Sequence, residues 1–374
     1  MVRWFKACLF ALAMPLAAQE PADLRSVVAG PDEAVPIVET DIDPIEEAMQ
    51  TLALEQKIAQ LMFVTFESGH NPNSGERRVL KGLTPGGVFL PSVTSPKAFE
   101  SYVRDLRLNP MEMQHRVPMI VGTNFYALSA QRHPTSPYSP LPSLLSLGAT
   151  HNEADMRSAA GLIAEYVNTF GVGLHFGPSL GLSSSLRGAG PGYTQFGETP
   201  ALAAMGARAF GQTFGEVGIN WMPMGFPGGD TNRTGANPPV LLTPKPSLDS
   251  VDLLPYREAI AGGAKFIHVG NVLVPTLEPE PVPASVSYAV MTKLLREELG
   301  FDGIIVAGPM DDPALTRHYD GPSAPIRALM AGADMVWWGA PGPRAEQFVG
   351  QLTVAVEQNQ VPRSLIEERF RHVL

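Results

Sequence analysis

Gly303-Ile304-Ile305-Val306-Ala307 is an apolar run of strand length between two segments of helical period, Val286–Leu299 before it and Ala324–Ala331 after it. Asp334-Met335-Val336-Trp337-Trp338 follows as a second such run. Strand, helix and strand in this order predict parallel strands joined by crossover helices. The same alternation extends back through Met62–Phe66, Gly87–Leu90, Met119–Thr123, Gly173–Gly177, Ile219–Pro223 and Phe266–Asn271, so eight strands are expected. Helical segments lie between them at Asn152–Phe170, Pro200–Val217 and Val251–Ala261, and the chain closes with helices near Pro343–Gln358 and Arg363–Leu374. Eight strands with intervening helices over about 330 residues predict an α/β fold of one domain, a (β/α)8 TIM-like barrel with some long loops. An open doubly wound sheet is the alternative, but no Gly-x-Gly-x-x-Gly turn follows the first strand to support a dinucleotide fold.

Composition narrows the function. The 374 residues carry 27 Lys and Arg against 37 Asp and Glu, a net charge of −10 that argues against nucleic acid as a partner. Apolar residues make up 44% and charged ones 17%, a globular balance that excludes wholesale disorder. Gly and Pro number 36 each without a collagen-like period, which predicts many turns. Cys8 is the only cysteine, so a disulfide scaffold, a thiolate zinc site and an internal redox pair are all excluded.

The N-terminus has the layout of a secretory signal peptide over residues 1–18: Arg3 and Lys6, the apolar run Ala7–Leu16, then Ala17-Ala18-Gln19 as a small-residue cleavage site. The run is too short for a permanent transmembrane helix, so no integral membrane segment is expected in the mature chain. Periplasmic or secreted localisation follows, with an uncleaved N-terminal anchor as the alternative. Residues 19–43 are rich in Asp and Glu, with prolines at 21, 31 and 36, and read as an acidic linker before a barrel over 44–374.

A barrel does its chemistry at the C-terminal ends of its strands. Those ends offer Glu67, Pro91, Asn124, Ser179, Met224, Asn271, Gly308 and Trp338 in turn, so titratable groups are scarce there. Asp230 lies in the loop after strand five, and Asp311 with Asp312 in the loop after strand seven.

Six stretches carry a resemblance to a known family: Leu54-Glu55-Gln56-Lys57-Ile58-Ala59-Gln60-Leu61-Met62, the Gly-Gly-Val of strand two, Phe226-Pro227-Gly228, Pro283-Ala284-Ser285-Val286-Ser287, Leu295 through Gly303, and Ala331-Gly332-Ala333-Asp334. In this order, from about Leu52 to the C-terminus, the chain resembles the family-3 glycoside hydrolases, in particular the single-barrel β-N-acetylglucosaminidases that trim peptidoglycan fragments. The resemblance implies a retaining mechanism, with an aspartate nucleophile in a Ser/Thr-Asp motif after strand seven and an acid on the leaving oxygen. It also implies a histidine acid, supported by an aspartate, in a loop written Lys-His-Phe-Pro-Gly-His-Gly-Asp-Thr.

This chain departs from the pattern where the chemistry sits. Gly308 stands at the nucleophile's place in Ile304-Ile305-Val306-Ala307-Gly308-Pro309. The acid loop reads Met224-Gly225-Phe226-Pro227-Gly228-Gly229-Asp230-Thr231, which replaces the Lys and first His, omits the second His, and leaves Asp230 without the partner it would orient. The family's Asp-x-Glu-Gly-Gly-x-Val-x-Arg aligns with Asn124 through Arg132 and keeps only Arg132; the Arg of Asp-Arg-Ser-Phe-Gly becomes Thr194; a strand-six His becomes Asn271. Losses that act on one transition state imply that the ancestral hydrolysis is gone and that the chain is a secreted pseudoenzyme.

Several residues have two readings. Asp230 is either a general acid with a raised pKa or an Asp that opens a turn. Asp311 and Asp312 are either a displaced nucleophile or cation site, or the start of a helix before Pro313. Of Trp337-Trp338 one ring should enter the barrel and the other the helix layer; Trp338, at the strand end, is the candidate for stacking on a sugar, and both rings serving as core is the alternative. Tyr126, Tyr193 and Trp221 admit the same pair of readings, and of these Tyr126 and Tyr193 are expected to plug the old pocket. His175 and His268 lie within strands and read as core histidines satisfied by hydrogen bonds; His70, His133 and His318 belong to loops, and no metal or other cofactor is expected. Two functions follow: a non-catalytic protein whose mouth, with Asn124, Arg132, Thr194, Asn271 and Trp338, holds an amino-sugar glycan, a peptidoglycan fragment or an envelope protein; or a working glycosidase that has recruited Asp230, Asp311, Asp312 or Glu67.

Overall fold

The computed structural model describes residues 43–91, 95–112, 117–125, 141–182, 186–187, 194–228, 237–319, 323–340 and 343–374. Pro44–Leu374 forms one compact unit. The expected signal peptide and nearly all of the linker lie outside the described residues.

All eight expected strands are present: β1 Met62–Thr65, β2 Gly87–Leu90, β3 Ile120–Thr123, β4 Leu174–Ser179, β5 Trp221–Met224, β6 Phe266–Val269, β7 Ile304–Ala307 and β8 Met335–Trp338. They form one parallel sheet in the spatial order β5-β4-β3-β2-β1-β8-β7-β6. Each strand therefore lies beside its neighbours in sequence, and β8 returns to β1 through Phe63 opposite Trp337 and Val64 opposite Trp338. The remaining seam, β5 to β6, is joined just past β5 by a parallel bridge between Phe226 and Val269, where Phe226 N–H donates to His268 O at 3.0 Å. The sheet curls into the (β/α)8 TIM-like barrel, and the open doubly wound alternative falls because an open sheet has no such return of β8 to β1.

Local sequence explains the helix boundaries. Glu153–Phe170 starts where Asn152 Oδ1 accepts from Ala154 N–H at 3.0 Å, and Pro200–Val217 starts at Thr199 with a proline in its first turn. Two expected helices differ from their predicted spans. The segment Val251–Ala261 is helical only over Leu254–Ala261, with Pro255 in the first turn, where its missing N–H costs nothing. Val286–Leu299 divides into a 3-10 turn, Ala284–Val286, and a wide π-helical stretch, Ala289–Glu298, closed by Leu299 N–H to Leu294 O at 2.9 Å. A two-residue antiparallel ribbon, Leu186–Arg187 with Val240–Leu241, was not foreseen, because two residues are too short to carry a period.

Strand alternation sorts the side chains into two cores. Met62, Val64, Val88, Val121, Trp221, Ile267, Ile305, Val336 and Trp338 join the layer between sheet and helices. Phe63, Leu174, Phe176, Met222, Met224, Phe266, Ile304, Val306 and Met335 fill the barrel, with Phe89 and Trp337 packed against them. Among the described residues no helix is long and apolar enough to cross a membrane.

Candidate functional site

The candidate site is the end of the barrel at which the strands finish. It is floored by rings. Phe89 packs on Phe176 with centroids 4.5 Å apart, and the indole of Trp337 meets both edge-on, at 5.5 Å and 5.7 Å. Phe63, one layer below, contacts Phe176 at 5.5 Å. Phe63 and Phe176 are buried, whereas Phe89 and Trp337 keep part of their surface open. Trp337 is fixed in place, because its Nε1–H donates to Thr65 Oγ1 at 2.9 Å while the Thr65 hydroxyl donates to Trp338 O at 3.0 Å.

Trp338 faces the other way. It is 1% exposed, packs on Phe348 at 6.1 Å between ring centroids, and belongs to the helix-side core. The stacking expected of Trp338 does not fit this placement, because register with β1 turns its ring outward and Trp337 inward. Trp221 is likewise buried, against Phe214 of the helix Pro200–Val217.

Gly308 lies at the top of β7 with φ 141, a region L side chains rarely occupy. A Cβ there would lie 2.7 Å from Trp337 O and 3.4 Å from Trp337 Cβ. Both backbone conformation and space therefore disfavour a side chain at position 308. Beneath it, His268 Nε2 donates to Gly308 O at 2.9 Å and Nδ1 accepts from Gly225 N–H at 3.4 Å. This pairing needs the neutral ring, and burial pushes His268 down to about 4 despite the Gly308 carbonyl. One imidazole thus ties the start of the loop after β5 to the top of β7.

The candidate carboxylates of the β7 loop are engaged with the backbone. Asp311 accepts from Gly339 N–H at 2.7 Å and Ala340 N–H at 3.0 Å, bracing the turn after β8. Asp312 caps the helix Pro313–Thr316 through Ala314 N–H at 2.8 Å, as the Asp-Asp-Pro sequence led us to expect. Its other oxygen accepts from Asn271 Nδ2 at 3.3 Å. Asn271 also donates to Pro309 O at 2.8 Å and accepts from the Ser285 hydroxyl, so its amide is committed to holding the β6 and β7 loops together. Met224 is buried, and its carbonyl accepts from Tyr256 Oη at 3.0 Å. Asn124 and Thr194 are half-buried and Glu67 is exposed. Arg132, Asp230, Tyr126, Tyr193 and His133 lie outside the described residues.

His175 departs from expectation. It is fully buried, but neither ring nitrogen has a hydrogen-bond partner; Phe125 stacks on it at 6.2 Å and Phe214 meets it edge-on at 5.7 Å. Burial alone pushes it down to about 3. Among the described residues no three His, Cys, Asp or Glu side chains cluster closely enough to hold a metal ion.

His268 is the hydrogen-bonded core histidine that the sequence predicts, whereas sequence reasoning missed Phe89 and Thr65 as parts of the mouth. The signal available was parity, since Thr65 lies an even number of residues from Phe63, and His268 from Phe266, inward positions of their own strands.

Comparison with known proteins places this geometry in a family. The model of the glycosyl hydrolase family 3 N-terminal domain matches residues 53–374. Beta-hexosaminidase A of Pseudoalteromonas piscicida is 24% identical over 310 residues, covering 76% of this chain and 52% of its own. Beta-hexosaminidase LpqI of Mycobacterium tuberculosis is 24% identical over 327 residues, covering 84% and 80%. Among solved structures, a family 3 β-N-acetylglucosaminidase from Paenibacillus superposes with TM-score 0.76 at 25% identity, covering 86% of this chain and 61% of the other. A β-N-acetylhexosaminidase from Beutenbergia cavernae gives TM-score 0.74 at 21% identity and covers 86% and 97%, a likeness of fold. The chain thus spans about half the length of the first of these relatives. It belongs to glycosyl hydrolase family 3, and residues 53–374 are its N-terminal domain.

Proposed function

We infer that this barrel is a family 3 member that binds an amino-sugar glycan, such as a peptidoglycan fragment, without hydrolysing it. The observation that carries the reading is Gly308: φ 141 and a Cβ position 2.7 Å from Trp337 O leave no room for a nucleophile there. Retaining hydrolysis needs a carboxylate against the anomeric carbon and a proton donor on the leaving oxygen. The nearest carboxylates in sequence, Asp311 and Asp312, are taken up by Gly339, Ala340, Ala314 and Asn271. An envelope protein at the same mouth is the competing occupant. The reading includes export to the periplasm or beyond, supported by the Arg3–Ala18 leader pattern.

The test is a mass-spectrometric time course of concentrated protein with N-acetylglucosaminyl-anhydro-muropeptides. No release of N-acetylglucosamine over days is the expected result. Release that disappears in Asp230→Asn or Asp311→Asn overturns the reading in favour of a glycosidase with relocated carboxylates.

A further inference from the structure

We propose that Trp337 is the specificity-determining platform of the mouth, and that it selects an uncharged pyranose ring over an anionic one. The proposal rests on the sugar-binding part of the reading above and adds what would recognise the sugar at the strand-built floor of the mouth.

Three observations carry it. First, among the described residues the inward strand positions near the top of the barrel hold no charged side chain: Thr65, Phe89, Phe176, Met224, His268 in its neutral form, Val306 and Trp337. A carboxylate brought against this layer would lose hydration without gaining an ion pair there, whereas the C–H face of a neutral pyranose loses little. Second, among the described residues the inward rings with open surface are Phe89 and Trp337, while Phe63 and Phe176 beside them are sealed. Third, the indole is already held in position by the Thr65 hydroxyl and by edge contacts with Phe89, Phe176 and His268, the last at 5.4 Å. A ring that is fixed before binding loses little rotamer freedom on stacking. Trp337 is also the residue whose backbone and Cβ fill the space beside Gly308. The same residue that leaves no room for a nucleophile at Gly308 therefore supplies the aromatic surface.

The tryptophan inventory makes the test selective. Apart from Trp4, the tryptophans are Trp221, Trp337 and Trp338, and Trp221 and Trp338 are 2% and 1% exposed. Titration of the full chain with methyl β-N-acetylglucosaminide, followed by indole 1H–15N signals and by calorimetry, should move the Trp337 indole signal and leave the other two in place. Methyl β-glucuronide should bind at least tenfold more weakly, and Trp337→Leu should weaken binding of the neutral glycoside at least tenfold with the fold intact. If Trp337→Leu does not fold, Trp337→Phe, which keeps a ring, and the wild-type indole shifts decide the question. Undiminished binding by Trp337→Leu, equal binding of the glucuronide, or no calorimetric binding of the neutral glycoside overturns the proposal. Release of free N-acetylglucosamine in the same samples would instead overturn the non-hydrolysing reading, whatever the binding data say about Trp337.

Discussion

The two ends of this barrel use polar groups in opposite ways. At the end where the strands begin, Asp334 is fully buried and collects Arg296, Arg369 at 3.5 Å, His372 at 2.9 Å and the N–H of Ile305 at 2.8 Å. Arg296 also donates to Phe301 O at 2.9 Å and to Gly303 O, and Arg371 of the C-terminal helix Arg363–Val373 pairs with Glu46 at 2.6 Å. This network pins the last helix and the turn into β7 to the base of β8. At the other end, among the described residues, the inward strand positions are aromatic, aliphatic or neutral, and Asp311 and Asp312 hold backbone N–H groups. The difference teaches that this barrel is braced by buried ion pairs at its base and by neutral hydrogen bonds and rings near its mouth. Among the described residues the buried ionic bracing lies at the base, so the loss of a charge there is expected to cost the most stability.

The largest expected effect breaks the base. Asp334→Ala leaves two arginines and a histidine around an empty partner site and should cost roughly 3–5 kcal/mol, measured by denaturant unfolding. A cost below 1 kcal/mol would mean that the network is ornamental and the contrast false. At the mouth, Gly308→Ala should cost roughly 2–4 kcal/mol, because the added methyl meets Trp337 O in a backbone conformation that disfavours any side chain. A neutral result would mean that the loop yields easily, and that Gly308→Asp could restore a nucleophile.

The two histidines sharpen the comparison through opposite pH dependence. His268 has its pKa lowered by burial to about 4, so its contribution is complete above the ordinary histidine value near 6.5 and is lost as pH falls toward 4. Near pH 5 the loss should be about 2 kcal/mol, and His268→Gln should remove that part of the acid sensitivity. His175, lowered to about 3 by the same cause, adds a loss of the same sign. His372 at the base is raised, first by its hydrogen bond to Asp334, so its contribution is present below the ordinary histidine range and fades as pH rises through its own raised value. Because the ring is partly exposed, His372→Gln should change stability by less than about 1 kcal/mol, and only on the acid side of that transition. Thermal unfolding of both variants across pH 4–9 checks the pair; the same sign for both would break the contrast.

Much of this was legible from residues alone. The eight strands were readable because apolar runs and helical period are local properties, and Asp312 was readable as a cap because Asp before Pro writes its own turn. Gly308 and Asn271 were readable as residues at strand ends, because the end of an apolar run is a local property too. What the chain could not reveal depended on neighbours distant in sequence. Asp311 reaches Gly339 and Ala340, whose pairing no local spacing announces. Asn271 is spent on Pro309 and Asp312 rather than turned to a ligand.

The amino-acid sequence by itself determined the barrel and the family resemblance, since each is written in runs of adjacent residues. Only the tertiary structure decided which of two adjacent tryptophans enters the barrel and why position 308 disfavours a side chain. Inward direction depends on the register of β8 against β1, where a shift of one residue exchanges Trp337 with Trp338. The space at Gly308 depends on the backbone of a strand nearly thirty residues away.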